Sequence, residues 1–340
     1  MIKLLFFTDL HIAKLGPKSR VDDYLDSICA KLDEALELGT KCDFILFGGD
    51  FCHSHFLSSD KVKEQAIETM AKHLVPSKTP LLYTWGQHDL FGKEYSSRTN
   101  STAGFIFRLV KKLGADLREI PVEETMQVND DFLITACPSG YDPEQWLEDI
   151  QASHGTEIRN HTSVAILHHL VHTEIKTPWF IDPDNLNTEG IDLVLCGDLH
   201  DGFPKKCNKY GTLFVNPGSM ARTQHTKSER DRKIQVLELK IDKGKIEAKY
   251  KKLKSAKTGS KVFNKKAPLL DSEELYAYQG ENISASEDKD GRIGLDEFLT
   301  SLDSFESENV DLWELLMKRA NEEQLDESVY DYLLEKRSVQ

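Results

Sequence analysis

One unit recurs along this chain: a short apolar run that breaks into a polar loop carrying Asp and His. Ile2 to Phe7 leads into Thr8-Asp9-Leu10-His11, Asp43 to Phe47 into Gly48-Gly49-Asp50, and Pro80 to Trp85 into Gly86-Gln87-His88-Asp89. Further on, Ser163 to His168 ends at the pair His168-His169, and Ile191 to Cys196 leads into Gly197-Asp198-Leu199-His200. Short apolar runs bounded by turn residues read as buried strands. Between them, apolar residues recur at helical spacing over Val21 to Leu38, Ser59 to Leu74 and Ala103 to Leu113, the first run stopping at Gly39. Strand, polar loop and helix in repeated succession restrict the chain to an α/β architecture. In such a sheet the loops at one edge converge, so residues far apart in sequence can meet.

The later chain is richer in strands. Phe132 to Cys137, Thr212 to Val215, and the pair Lys233 to Ile241 and Lys245 to Leu253, joined at Lys243-Gly244, are the candidates. Helices are expected at Pro143 to Ala152 and Pro183 to Asn187.

Charge divides the chain. A net charge of -14 would argue against a polyanionic partner if it were evenly spread, but residues 267–340 hold 20 acidic and 6 basic side chains. That leaves 37 of each sign in residues 1–266. The expected organisation is a body over 1–253, a basic Lys/Ser/Gly linker over 254–266, and an acidic helical tail over 267–340. The tail's helical candidates, Leu295 to Leu302, Val310 to Ala320 and Ser328 to Lys336, carry too few apolar residues for a core of their own. They are expected to pack on the body or on a partner. Lys240 to Lys266 carries 11 lysines against Asp242 and Glu247. This stretch could meet phosphates, or could be a solvated hairpin and linker.

Six cysteines without a CxxC pair point to a reducing compartment. The first residues are too short an apolar run for a signal peptide, and no run approaches a membrane span. The expectation is a cytoplasmic or nucleoid-associated protein.

Carboxylates, imidazoles and one amide together suit two adjacent divalent ions with mixed oxygen and nitrogen ligation. For any one of these residues, a satisfied turn or core side chain is the simpler reading. Five sets at the same place relative to a strand point to a metal centre.

The order DLH, GGD, GQHD, HH, GDLH and NPGS resembles the calcineurin-like metallophosphoesterases. The DLHIA opening, the GGDFCHS stretch and the NPGSMAR ending are most similar to the SbcD-type DNA repair and recombination nucleases, including phage versions. The resemblance implies a four-layer α/β/β/α sandwich over residues 1–253 and two divalent ions, Mn²⁺ or Mg²⁺. It assigns the first ion to Asp9, His11, Asp50 and His200, and the second to Asp50, Gln87, His168 and Asp198, with Asp50 shared and His169 the alternative to His168. It further implies that His88 steadies or protonates the leaving oxygen while Asp89 orients the His88 ring. Arg222 would reach a substrate phosphate, or pair with an acid at the surface. Asn216-Pro217-Gly218-Ser219 would act through backbone shape. His53, His55, His172 and His225 read as loop histidines. As partners the resemblance implies DNA and an SbcC-like coiled-coil ATPase docked through the tail helices, and it is compatible with a homodimer.

The chain departs from the family pattern at Gln87, where Asn is usual, and at Asp198, where His is usual. Both belong to the second ion. One reading is an oxygen-rich second site favouring Mn²⁺ or Mg²⁺, and the other is a weak or empty site. Two other functional classes stay open: a phosphoesterase for a small phosphodiester or phosphoprotein, and a non-catalytic scaffold. Finally, Ser286 to Glu297 resembles an EF-hand calcium loop, but Ser286 at the first ligand position and the lack of an entering helix favour an acidic turn.

Overall fold

Strand β1 (Ile2–Phe7) serves two cores at once. Successive side chains of a strand point to opposite faces. Accordingly Leu4 and Phe6 join one apolar cluster while Leu5 and Phe7 join another, and all four are buried. The run is apolar without alternation because both of its faces are covered.

The computed structural model describes residues 1–173, 180–242, 244–264, 266, 267 and 269, all within one unit, Met1–Ala277. The expectations for the tail helices and for the EF-hand-like loop at Ser286 to Glu297 fall outside the described residues.

β1 sits within a six-stranded sheet. On one side lie β2 (Phe44–Phe47), β3 (Leu81–Tyr83) and β4 (Leu117–Glu119), all parallel to it in that order. The second sheet contains β5 (Met126–Asn129), β6 (Phe132–Cys137), β7 (Thr162–Leu167), β8 (Leu193–Cys196), β9 (Phe203–Cys207) and β10 (Leu213–Asn216). Its order is β5-β6-β7-β8-β10-β9, parallel through the middle with an antiparallel strand at each edge. The chain then returns to the first sheet as the hairpin β11 (Gln235–Asp242) and β12 (Lys245–Lys252), which pairs β11 antiparallel to β1.

Helices α1 (Tyr24–Gly39), α2 (Asp60–Ser77) and α3 (Thr102–Lys112) pack against the first sheet, and α4 (Pro143–Asn160) against the second. Between the sheets, Leu4, Phe6, Leu46, Leu82, Phe132, Ile134, Ile166, Leu195 and Leu237 form the middle core. The layers are therefore α/β/β/α, as the resemblance implies. Helix α1 illustrates the local logic. Asp23 caps it by accepting from the Asp26 N–H, and Leu25, Ile28, Leu32, Ala35 and Leu36 line one buried stripe. Burying each large apolar side chain contributes about 1.5–3 kcal/mol.

Several elements differ from the sequence reading, the short strands β4 and β5 among them, for which no run was singled out. α4 continues to Asn160 instead of ending near Ala152, because Ile158 extends its buried stripe beyond a polar segment that masks the periodicity. Pro183 to Asn187 forms turns, not a helix. β9, with the sequence Phe-Pro-Lys-Lys-Cys, is an edge strand whose exposed residues hide it from an apolar-run search. The stretch read as a linker lies against the body: Glu34 accepts from the Lys254 and Ser255 N–H groups, Val21 N–H donates to the Val262 carbonyl, and Phe263 is buried. Among the described residues no helix is long and apolar enough to cross a membrane.

Candidate metal centre

The C-terminal ends of β1, β2, β3, β7 and β8 deliver Asp9 and His11, Asp50, Gln87 with His88, His168, and Asp198 with His200 to one place. Asp9, His11, Asp50 and His168 are buried, whereas His200 and His88 are half-buried and His53 is exposed. Among the described residues three groups have ligand atoms all within 4.8 Å of one another: Asp9, His11 and His200; Asp9, Asp50 and His168; and His11, His53 and His88.

Backbone conformation sets these side chains. Of the six described non-glycine residues with left-handed φ, four are Asp9, His11, Asp50 and Asp198. Such conformations cost of order 1–3 kcal/mol each and persist where surrounding structure imposes them. Here the imposing contacts are ladder-like bonds between adjacent loops: Asp9 N–H to the Gly49 carbonyl at 3.0 Å, and His11 N–H to the Asp50 carbonyl at 3.0 Å. The glycines make room. A Cβ on Gly86 would run into the Asp50 carboxylate, and one on Gly49 would stand 2.6 Å from His168 Nδ1.

Several ring and carboxylate atoms are oriented from behind. His168 Nδ1–H donates to the Gly48 carbonyl at 2.6 Å, which turns Nε2 toward Asp50 Oδ2, 3.3 Å away. Asp50 accepts the His88 backbone N–H on Oδ1 at 2.8 Å, leaving Oδ2 between His168 and His11 Nε2, the latter at 3.6 Å. The Nε2 atoms of His11 and His200 face each other at 2.9 Å, and each lies 3.9 Å from Asp9 Oδ1. Asp50 Oδ2 and His168 Nε2 are buried without a hydrogen-bond partner among the described residues. Burial opposes charge on both residues. The attraction between them outweighs it, holding the Asp50 carboxyl well below the usual carboxylate range and His168 well above that of a free imidazole. Burial also raises the Asp9 carboxyl and lowers the His11 imidazole. Buried carboxylate oxygens and imidazole nitrogens that converge without partners are a donor set that fits divalent cations.

The remaining expected residues sit as follows. Gln87 Nε2 donates to Asp198 Oδ1 at 2.7 Å, and the Asp198 N–H lies 3.2 Å from both carboxylate oxygens of Asp9. His169 points out of the cluster, with Nε2 3.1 Å from the Pro138 carbonyl and 3.3 Å from Cys137 Sγ. Asp89 does not orient the His88 ring, contrary to expectation. Its carboxylate is occupied by the N–H groups of Phe51, Cys52 and Gly86 at 3.0–3.3 Å, so it braces the Asp50 loop. Burial and the nearby Asp50 push its pKa up to about 7. The His88 ring is held instead by the His53 carbonyl, 2.8 Å from Nδ1. Arg222 is buried, not displayed at the surface: its Nη2 donates to the Arg232 carbonyl at 2.8 Å, and burial lowers its pKa to about 10.

Two residues at the site were given no role there by the sequence: His53, read as a loop histidine, and Glu229, not singled out. His53 stacks on His88, with ring centroids 5.5 Å apart. Its place three residues after Asp50, in a turn following a strand, was the available signal. Glu229, buried on the short helix α5 (Lys227–Asp231), has Oε1 3.7 Å from His200 Nδ1. The Thr226-x-x-Glu229 spacing of a helix start was its signal.

The model of the calcineurin-like phosphoesterases matches residues 2–202, more than half of the chain. The chain belongs to the calcineurin-like phosphoesterases. This phosphoesterase is also similar, at 13% identity in each case, to three solved structures. The protein TT1561 of Thermus thermophilus has a TM-score of 0.45, with 73% of this chain and 98% of that one covered. Purple acid phosphatase PPD1 from yellow lupin (Lupinus luteus) seeds gives 0.46, with 74% and 51% covered. The calcineurin-like phosphoesterase YfkN from Bacillus subtilis gives 0.38, with 84% and 98% covered. No curated protein matches the chain. Members of the family are phosphoester hydrolases that use divalent metals, and this phosphoesterase has candidate residues to hold them.

Proposed function

We propose that this calcineurin-like phosphoesterase is a phosphodiesterase acting on DNA, a nuclease of the SbcD type that works with an SbcC-like ATPase. The observation that carries the reading is the graded burial of the centre. Asp9, Asp50 and His168 lie inside, while His88 and His53 stand at a rim that solvent reaches. A polymeric phosphodiester needs such an open rim, whereas a small substrate suits an enclosed site.

In this proposal Asp9, His11, Asp50 and His200 hold one ion, and Asp50, Gln87, His168 and Asp198 the other, Mn²⁺ or Mg²⁺. Bound there, the ions would supply Lewis acidity to the phosphoryl group and to water. The chain's own residues do the rest. Asp50, pinned through Oδ1, keeps Oδ2 free for ligation. His88, with Nδ1 against the His53 carbonyl, presents Nε2 to the leaving oxygen as hydrogen-bond donor or acid. Exposed Lys249, Lys252 and Lys254, on and just after β12, add positive charge for a nucleic-acid backbone. The acidic tail, residues 267–340, is the proposed docking element for the ATPase.

The Gln87–Asp198 hydrogen bond favours a second reading, a scaffold with an impaired second ion site. One assay separates the readings: Mn²⁺-dependent cleavage of single- and double-stranded DNA by the full chain, with His88→Ala as control. DNA cleavage lost in His88→Ala supports the nuclease. Turnover of a small phosphodiester without DNA cleavage points to a small substrate, and no turnover at all points to the scaffold.

A further inference from the structure

The two ring nitrogens of His200 look in opposite directions. Nε2 faces His11 and Asp9, while Nδ1 faces Glu229 Oε1 at 3.7 Å and the Thr223 hydroxyl at 3.2 Å. Glu229 is 3% exposed, and its Oε1 has no hydrogen-bond partner among the described residues. Its other oxygen, Oε2, is held by Arg232, with Nε at 3.0 Å and Nη2 at 2.8 Å. Arg232 in turn donates to the carbonyls of Ser219, at 2.6 Å, and Ala221. Ser219 closes the circuit by donating from its hydroxyl to the Asp9 carbonyl at 2.8 Å. One buried carboxylate thus faces one candidate ligand, His200, and is linked through Arg232 and Ser219 to the loop of another, Asp9.

We propose that Glu229 is a positioning residue for the metal centre, fixing the tautomer and the ring angle of His200. The inference rests on the reading of the cluster as a metal centre. An imidazole that ligates through Nε2 must carry its proton on Nδ1, and a carboxylate facing Nδ1 selects that tautomer. Thr223 cannot select it, because a hydroxyl donates or accepts equally well. Arg232 keeps the carboxylate in place, and the cap from Thr226 Oγ to the Glu229 N–H, at 3.0 Å, fixes the backbone that carries it. The helix itself is only five residues long, so its packing alone would not define the side chain.

The test uses the full chain, stripped of metal by a chelator, as wild type, Glu229→Gln, Glu229→Asp and Thr223→Val. Glu229→Gln turns an amide toward His200. Glu229→Asp keeps a negative charge beside Arg232, so it preserves folding if the Gln variant does not. Three quantities are read: Mn²⁺ affinity by calorimetry, thermal unfolding of the stripped protein, and the tautomer of His200 by long-range ¹H–¹⁵N NMR. Both Glu229 variants are expected to bind Mn²⁺ about 10- to 100-fold more weakly, and Thr223→Val to stay within about twofold of wild type. The His200 resonances of the Glu229 variants should lose the Nδ1–H pattern that the wild type shows, while a stripped Glu229→Asp unfolds as a cooperative protein. Unchanged Mn²⁺ affinity and an unchanged His200 tautomer in the Glu229 variants would overturn the proposal. A wild type that binds no Mn²⁺ would instead sink the metal-centre reading, and the His200 tautomer would still decide the role of Glu229.

Discussion

Gln87 Nε2 donates to Asp198 Oδ1 across 2.7 Å, joining two residues 111 positions apart in sequence. They are the two positions that the motif resemblance marks as unusual, and the hydrogen bond makes them one local feature and not two. A carboxylate oxygen engaged by an amide is a poorer cation ligand than a free one. Calorimetry with Mn²⁺ on the stripped protein is therefore expected to show two binding events of unequal affinity. Asp198→Ala should remove the weaker and leave the tighter, and the double change Gln87→Asn with Asp198→His should bring the two closer together. A single event that Asp198→Ala does not alter would exclude a second ion.

His88 and Asp89 are neighbours with separable roles. His88→Ala should lower kcat for a phosphodiester by about 10²- to 10⁴-fold with little change in Mn²⁺ affinity, since in the proposed mechanism it removes a proton donor and no ligand. Asp89→Asn places an amide against three buried backbone N–H groups, and should cost about 1–3 kcal/mol of stability in denaturant unfolding. A stable Asp89→Asn protein with only kcat reduced would restore Asp89 to the ring-orienting role that the motif implied.

Between the sheets, Phe6 is fully buried among Leu46, Leu82 and Leu237. Phe6→Ala is expected to destabilise the body by about 3–5 kcal/mol in denaturant unfolding, because the two sheets cannot collapse onto the space. A loss below about 1 kcal/mol would mean that the middle layer is not the packed core it is taken to be.

Glu34 ties the segment after β12 to helix α1 through the N–H groups of Lys254 and Ser255, at 2.9 and 2.7 Å. Burial raises its pKa, but these backbone hydrogen bonds outweigh it and hold the carboxyl below the ordinary value. A depressed carboxyl stabilises the folded state above the unfolded pKa of about 4.3, and that contribution is lost as pH falls through the folded pKa. The amide resonances of Lys254 and Ser255 should therefore titrate together below the ordinary glutamate range, and Glu34→Gln should abolish that titration.

Much of the fold was legible because both faces of each central strand are covered. β1 and β6 appear in the sequence as continuous apolar runs with the observed ends, and each ligand-bearing loop follows such a run. What escaped was edge and surface structure. β9 exposes Pro204 and Lys205, and α5 is too short for periodicity, so neither carries a burial pattern. In the site, the residue types were visible but the orientation of each ring was not. His168 is aimed by the Gly48 carbonyl, His88 by the His53 carbonyl, and His200 is faced by Glu229, and all three partners come from elsewhere in the chain. The same distance in sequence explains why Asp89 was expected on His88 when it binds backbone N–H groups of Phe51 and Cys52.

Asp9, His11, Asp50, His168 and His200 are proposed to form a divalent-metal centre. Anomalous diffraction at the manganese edge, on crystals of the full chain grown with Mn²⁺, tests it most directly. Manganese is expected within ligand distance of Asp50 Oδ2, with the stronger peak between His11, His200 and Asp9. Crystals that carry manganese elsewhere, or none between these side chains, would contradict it.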